Sequence, residues 1–205
     1  MQFALSYVAT EYVAFCESDD YWDEQHVEKL LLFIKQNQHS MNMIFNKLVV
    51  KNCSDNKEYD GYVDFSNKAL KELSDSNIFH LMISNYMPTF SSACIKTEEL
   101  RKCDFDSYYA PYLDFWLWRQ LCVTNNIYYS DEAITYWRKH NQSYDMKENH
   151  RNISRFLKAS NDLLLSKMKE KLTFVASFKL KFFSLLFKLR KFIHFQMKII
   201  SKYAN

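Results

Sequence analysis

Glycine occurs once in the 205 residues, at Gly61, and proline twice, at Pro88 and Pro111. A globular chain of this length ordinarily carries about 14 glycines. With one, no G-x-G-x-x-G turn and no Walker loop can be written, so glycine-rich phosphate cradles, collagen-like repeats and glycine linkers are excluded together. The five cysteines (Cys16, Cys53, Cys94, Cys103, Cys122) are odd in number, dispersed and free of any C-x-x-C pair. That argues against a zinc ribbon or a disulfide framework and for reduced, cytosolic thiols. Uncharged apolar runs stay short of the ~18 residues that span a bilayer. The first residues lack the basic flank and long apolar core of a targeting segment.

What is present is the balance of a chain that buries a core: 48% hydrophobic and 25% charged residues. The length suits one domain with an appendage. Aromatic residues make up 17%, alongside abundant lysine and asparagine. This is read as a compositional bias and carries little functional weight. The net charge of +3 hides a split. Residues 158–205 hold eleven basic and two acidic side chains, a net +9, which leaves the body at −6. A basic tail on an acidic body suggests an anionic surface as its partner.

Along the body, residues 12–16 form a compact β-prone run, apolar nearly throughout, which suits a sheet covered on both faces. It ends in Glu17-Ser18-Asp19-Asp20. A helix is expected next, capped by Asp23, with Val27, Leu30, Leu31 and Ile34 at helical spacing. Residues 43–45 and 48–50 suggest a strand or a bent pair of strands. Residues 51–68 are polar and turn-rich, and 78–83 suggest a short helix. A strand is expected over 90–95, a brief helix over 97–102 and an aromatic helix over 112–123. Two short strands follow, at 127–129 and 133–137. This alternation argues for an α/β fold.

Acids clustered at a strand's carboxyl end repel one another and gain from a cation between them. Hard divalent ions take oxygen ligands and bridge carboxylates to phosphates. The plainer reading is a polar loop whose aspartates cap the next helix. The surrounding residues favour the first. Ala9-Thr10-Glu11-Tyr12-Val13-Ala14-Phe15-Cys16-Glu17-Ser18-Asp19-Asp20-Tyr21-Trp22, with Glu28-Lys29-Leu30 after it, resembles the central motif of family-2 glycosyltransferases of the GT-A fold. The resemblance implies that Glu17 and Asp19 occupy the acidic positions of the D-x-D motif. There they would hold Mn²⁺ or Mg²⁺ and the diphosphate of a nucleotide-sugar, a UDP-sugar above all. Asp20 and Trp22 match the motif's trailing, donor-binding positions. Thr10 replaces a usual glycine and Glu17 a usual aspartate.

Two further blocks agree in order. Tyr112-Leu113-Asp114-Phe115-Trp116-Leu117-Trp118-Arg119 resembles the family's E-D-x-x-L-W-x-R helix. The match assigns Asp114 to the base that takes the proton of the acceptor hydroxyl, a task that needs a positioned carboxylate. Tyr136-Trp137-Arg138-Lys139-His140-Asn141-Gln142-Ser143 resembles the family's Y-R-x-H-x-x-S close. It implies that Arg138 and His140 face the diphosphate or the metal, where a guanidinium stabilises a leaving anion. Met87-Pro88-Thr89-Phe90-Ser91-Ser92 falls where the family places a substrate-facing strand.

The family's opening strands, which bind base and ribose and end in D-D-x-S-x-D, have no counterpart. The expectation is a partial GT-A (Rossmann-like) domain over 1–146, lacking its nucleotide-binding start. A basic helical tail follows over 147–205. In the tail Phe178, Phe182, Leu185, Leu189, Phe192, Ile193 and Ile200 share one helical face. Lys181, Lys188, Lys191, Lys198 and Lys202 share the other, the pattern of a helix lying in a membrane interface. A helix packed on the body or on a partner has the same pattern.

The expected function is metal-dependent transfer of a sugar from a nucleotide-sugar to a glycan or lipid-linked acceptor in surface-polysaccharide assembly. The expected place is the cytoplasm, peripheral at the inner membrane face, with 172–205 on the anionic lipid surface. The alternative is a non-catalytic, membrane-peripheral or interaction protein built on a glycosyltransferase remnant. Nucleic acid is not expected as a partner, since the lysines keep to one helical face and no nucleic-acid fold pattern occurs.

Overall fold

A computed structural model describes residues 1–37, 41–52, 58–59, 85, 87, 89–105, 112–121, 127–139, 160 and 162. The chain divides into two compact units, Met1–Asn149 and His150–Asn205. In the second, Ser160 and Asp162 are helical, the first buried and the second exposed. The expected amphipathic face of the tail, the short helix at 78–83 and His140 lie outside the described residues.

The first unit is a mixed α/β sheet with helices. Its described elements are α1 (Gln2–Leu5), β1 (Tyr12–Ala14), β2 (Tyr21–Trp22), α2 (His26–Gln36), β3 (Met43–Asn52), β4 (Glu58–Tyr59), a 3-10 turn (Phe90–Ser92), β5 (Ala93–Lys96), α3 (Thr97–Arg101), α4 (Leu113–Leu121) and β6 (Ile127–Lys139). The strand order is β1-β5-β3-β6-β2, with β4 also on β3. Among the described residues β3 and β6 pair in parallel and the other pairs are antiparallel.

β3 lies at the centre because its sequence can be buried on both sides. Met43, Ile44, Phe45 and Asn46 are fully covered, as a continuous apolar run requires. Neighbouring residues of a strand face opposite ways. Ile44 accordingly packs with Leu30, Met41, Cys94 and Ala133 under α2. Phe45 meets the Trp118 ring of α4 edge-on, centroids 5.3 Å apart. Each such fully buried side chain stabilises the fold by roughly 1.5–3 kcal/mol. The two tryptophans of α4 also satisfy their N–H groups, Trp116 on the Asp104 carbonyl at 2.8 Å and Trp118 on the Met87 carbonyl at 2.9 Å.

Several expectations are corrected. β1 is an edge strand that pairs with β5 alone among the described residues, and it is half-exposed instead of covered on both faces. Tyr12 packs against the core of Leu30, Met41 and Ile44, while Ala14 lies open. Of the two alternatives for 43–50, the structure has the single strand, β3, and the two expected late strands are one, β6. The polar break Ser130-Asp131-Glu132 is carried as a bulge: Asn46 faces Ser130, but Lys47 faces Ile134. The 90–95 strand begins as a 3-10 turn.

Asp23 is not the cap of α2, whose N-cap is Gln25. It fastens the bulge: Oδ1 accepts from the Ile134 amide at 3.0 Å, and the Asp23 amide donates to the Ile134 carbonyl at 3.2 Å. Lys29 adds an ion pair at 2.7 Å. The helix then turns His26 and Leu30 inward and leaves Val27 and Leu31 more than half exposed.

Candidate active site

After β1 the chain makes a tight turn closed by the Asp20 amide donating to the Glu17 carbonyl at 3.0 Å. It re-enters the sheet at β2. Pairing of Tyr21 with Tyr136 and of Trp22 with Thr135 fixes this turn against the end of β6. Three carboxylates are thereby held on four residues, beside Arg138.

Donors for these acids come from the segment before β5. Thr89 Oγ1 stands 2.5 Å from Glu17 Oε2 and 2.6 Å from Asp20 Oδ2. It accepts the Ser91 amide at 3.1 Å. The Phe90 amide donates to the same Glu17 oxygen at 3.1 Å. The Glu17 amide donates to Ser91 Oγ at 2.9 Å. A hydroxyl has one hydrogen and cannot serve two carboxylate oxygens at once. The pair is one positive charge or proton short.

The electrostatics follow. Glu17 keeps an open side to solvent, but the protein around it pushes its carboxyl above the usual range, as the Asp20 and Asp19 charges do, against the Thr89 and Phe90 bonds. Asp20 is 8% exposed and raised for the same first reason, burial, partly countered by Thr89, Ser91 and the Arg138 amide.

Of the expected site residues, all but His140 fall among the described residues. Asp20 is buried, with Oδ2 on Thr89 and Oδ1 accepting from the Arg138 amide at 3.2 Å. It ties the turn to β6. Arg138 Nε donates to the Asp19 carbonyl, which brings the guanidinium onto the acid turn. The Trp22 indole donates to the Ser91 carbonyl at 2.8 Å and stacks flat on His26, centroids 4.4 Å apart. His26 donates from Nδ1 to the Ile134 carbonyl at 2.9 Å, and burial holds its pKa low, so it is a neutral ring in the packing. Trp22 therefore serves the scaffold of the turn.

Asp114 begins the first turn of α4, where the helix dipole favours an acid. Its Oδ2 accepts from Asn85 Nδ2 at 2.8 Å. Burial of the carboxyl, with a smaller push from the Glu17 charge, raises its pKa to about 6 against the bonds from Asn85 and the Phe115 amide.

Thr89, Ser91 and Asn85 were not singled out individually by sequence reasoning. The local signal was the placement of 87–92 in a substrate-facing stretch. Among the described residues no three Asp, Glu, His or Cys side chains converge as a metal cage. The donor set at the turn is all oxygen and short of positive charge, which fits a hard divalent ion completed by ligands from outside the chain. No described helix is long and apolar enough to cross a membrane.

Residues 1–91, less than half of the chain, match the family model described as glycosyl transferase family 2. The matched stretch holds β1, the acid turn, α2, β3 and Thr89–Ser91; Asp114, Arg138 and His140 lie beyond it. No curated protein matches the chain.

Proposed function

We propose, from the premise that residues 1–91 belong to a family-2 glycosyltransferase domain, that this chain moves a sugar from a nucleotide-sugar to an acceptor hydroxyl with Asp114 as base. The geometry that supports the reading lies in one short stretch of chain: Asn85 donates to Asp114 Oδ2 at 2.8 Å, and Thr89 Oγ1 stands 2.5 Å from Glu17 Oε2. A base with a pKa near 6 is mostly ionised at neutral pH yet still basic enough to accept a proton, the compromise general-base catalysis favours.

In the proposed step Asp114 takes the proton from the acceptor O–H. The oxygen forms its bond to the sugar's anomeric carbon, and the bond from that carbon to the diphosphate breaks. The negative charge leaves on the diphosphate. Glu17 and Asp19 would hold Mg²⁺ or Mn²⁺, which supplies charge neutralisation to the diphosphate when bound. One or two carboxylates suffice for Mg²⁺ when phosphates complete its shell. Arg138, anchored on the Asp19 carbonyl, adds a second positive charge at that place, and His140 follows it by two residues in the chain. Asp20 and Trp22 hold the turn that presents these groups.

We place the reaction at the inner face of a membrane, on a glycan or lipid-linked acceptor with a UDP-sugar as donor. The support is the charge of the tail and the free thiols Cys16, Cys94 and Cys103. The test is binding of UDP-glucose and UDP-N-acetylglucosamine with and without MnCl2, by the parent chain and by Asp19→Ala. Binding that depends on Mn²⁺ and weakens in Asp19→Ala is expected. Equal, cation-independent binding by both discards the metal assignment.

A further inference from the structure

The two acidic centres are built on distant parts of the chain, the turn at 17–20 and the first turn of α4. One stretch touches both. Asn85 donates to Asp114 Oδ2 at 2.8 Å. Two residues on, Met87 is fully buried, and its carbonyl accepts from Trp118, on the helix that carries Asp114. Two further on, the Thr89 hydroxyl lies between Glu17 and Asp20. After another two, Ser91 takes the Glu17 amide on its hydroxyl and the Trp22 indole on its carbonyl. Ser92 Oγ donates back to the Thr89 carbonyl at 3.2 Å.

We infer that Asn85, Thr89 and Ser91 are positioning residues on a single strut that sets the Glu17 carboxylate against that of Asp114. The inference rests on the glycosyl-transfer reading above and deepens it. Groups that act together must hold their spacing to within about 0.5 Å. A turn and a helix on separate layers do not share a spacing unless something rigid joins them. Here the join is polar at both ends and packed in the middle. Thr89, Ser91 and Ser92 are at most 2% exposed, so the bonds they make are shielded from competing water. A plain packing segment of the same shape would need neither an amide on Asp114 nor a hydroxyl between two acids. Valine would fill that space but take from both carboxylates the hydroxyl they share.

The test uses the full chain, with Mn²⁺ binding followed by electron paramagnetic resonance and UDP release measured from UDP-glucose and UDP-N-acetylglucosamine. Thr89→Val keeps the shape and removes the hydroxyl, and Thr89→Ser restores it. Removing a partner that orients a metal-binding acid typically weakens the metal about 10- to 100-fold. Thr89→Val is expected to lose Mn²⁺ affinity by about tenfold or more, with Thr89→Ser close to the parent. Asn85→Leu is expected to keep the parental Mn²⁺ affinity and substrate KM while kcat falls about tenfold, because it loosens only the base.

Parental Mn²⁺ affinity in Thr89→Val, or parental kcat in Asn85→Leu, overturns the strut. If Thr89→Val does not fold by circular dichroism, Ser91→Ala decides in its place, with tenfold weaker Mn²⁺ binding for the inference and parental binding against it. A parent chain that neither binds Mn²⁺ nor releases UDP overturns the glycosyl-transfer reading and the strut together. A parent that does both, with indifferent variants, overturns the strut alone.

Discussion

Glu17 and Asp114 stand far apart in the sequence, yet the charge of Glu17 contributes to raising the Asp114 carboxyl to about 6. That coupling joins the acids after β1 to α4.

Replacing the base separates activity from stability. Asp114→Asn keeps a side chain of the same shape and can still accept from Asn85, so the chain folds. Loss of a general base lowers turnover by roughly 10²–10⁴. Steady-state UDP release at saturating donor checks this; activity within about threefold of the parent removes Asp114 from the reaction.

The same carboxyl sets two opposite pH trends. Transfer needs the ionised base, so activity rises as pH increases through about 6 and is lost below it. Stability runs the other way. The folded pKa lies above the ordinary 3.8, so the protonated form favours folding. That contribution is complete below pH 3.8 and fades as pH rises through 6. Asp114 keeps part of its surface open, so the loss is about 2 kcal/mol, less than the full shift implies. Asp114→Asn should therefore unfold at higher urea than the parent at pH 8 and show no such advantage at pH 4.

Asp23 fastens the β6 bulge through the Ile134 amide and the Lys29 ammonium. Asp23→Ala leaves that amide without its acceptor and costs about 1–3 kcal/mol. Because β2 pairs with β6 immediately beyond the bulge, hydrogen exchange at Trp22 and Thr135 should speed up in the variant. Unchanged exchange there would separate the bulge from the acid turn.

The tail prediction concerns charge. If the tail meets an anionic lipid surface as proposed, Lys181, Lys188 and Lys191 would each contribute about 1 kcal/mol. Changing all three to Gln in the full chain should reduce flotation with phosphatidylglycerol vesicles by at least about tenfold. Flotation equal to the parent's removes the membrane from the account.

The acid turn was legible because four polar residues abruptly close an apolar run, and a strand end is the one place where such density points to chemistry. The helix of Asp114 was legible from its aromatic spacing. The strut was not. Asn85, Thr89 and Ser91 have the composition of a loop, and their partners lie in distant segments, so no local period betrays them. β6 read as two strands because Ser130-Asp131-Glu132 is polar; ten paired positions of β3 override that break. Asp23 read as a cap because aspartate before a helix usually is one, whereas here the nearest unsatisfied amide belonged to another strand.

The parallel pairing of β3 with β6 also bears on how the molecule comes into being. Parallel neighbours far apart in sequence close late, since a long stretch of chain must be ordered before their ladder rewards it. Arg138 and Thr135, the partner of Trp22, arrive only with β6. A nascent chain halted before residue 127 holds every acid of the turn, the strut and the base helix, but lacks Thr135 and Arg138, so the ribosome must deliver β6 before the acid turn is pinned to the sheet.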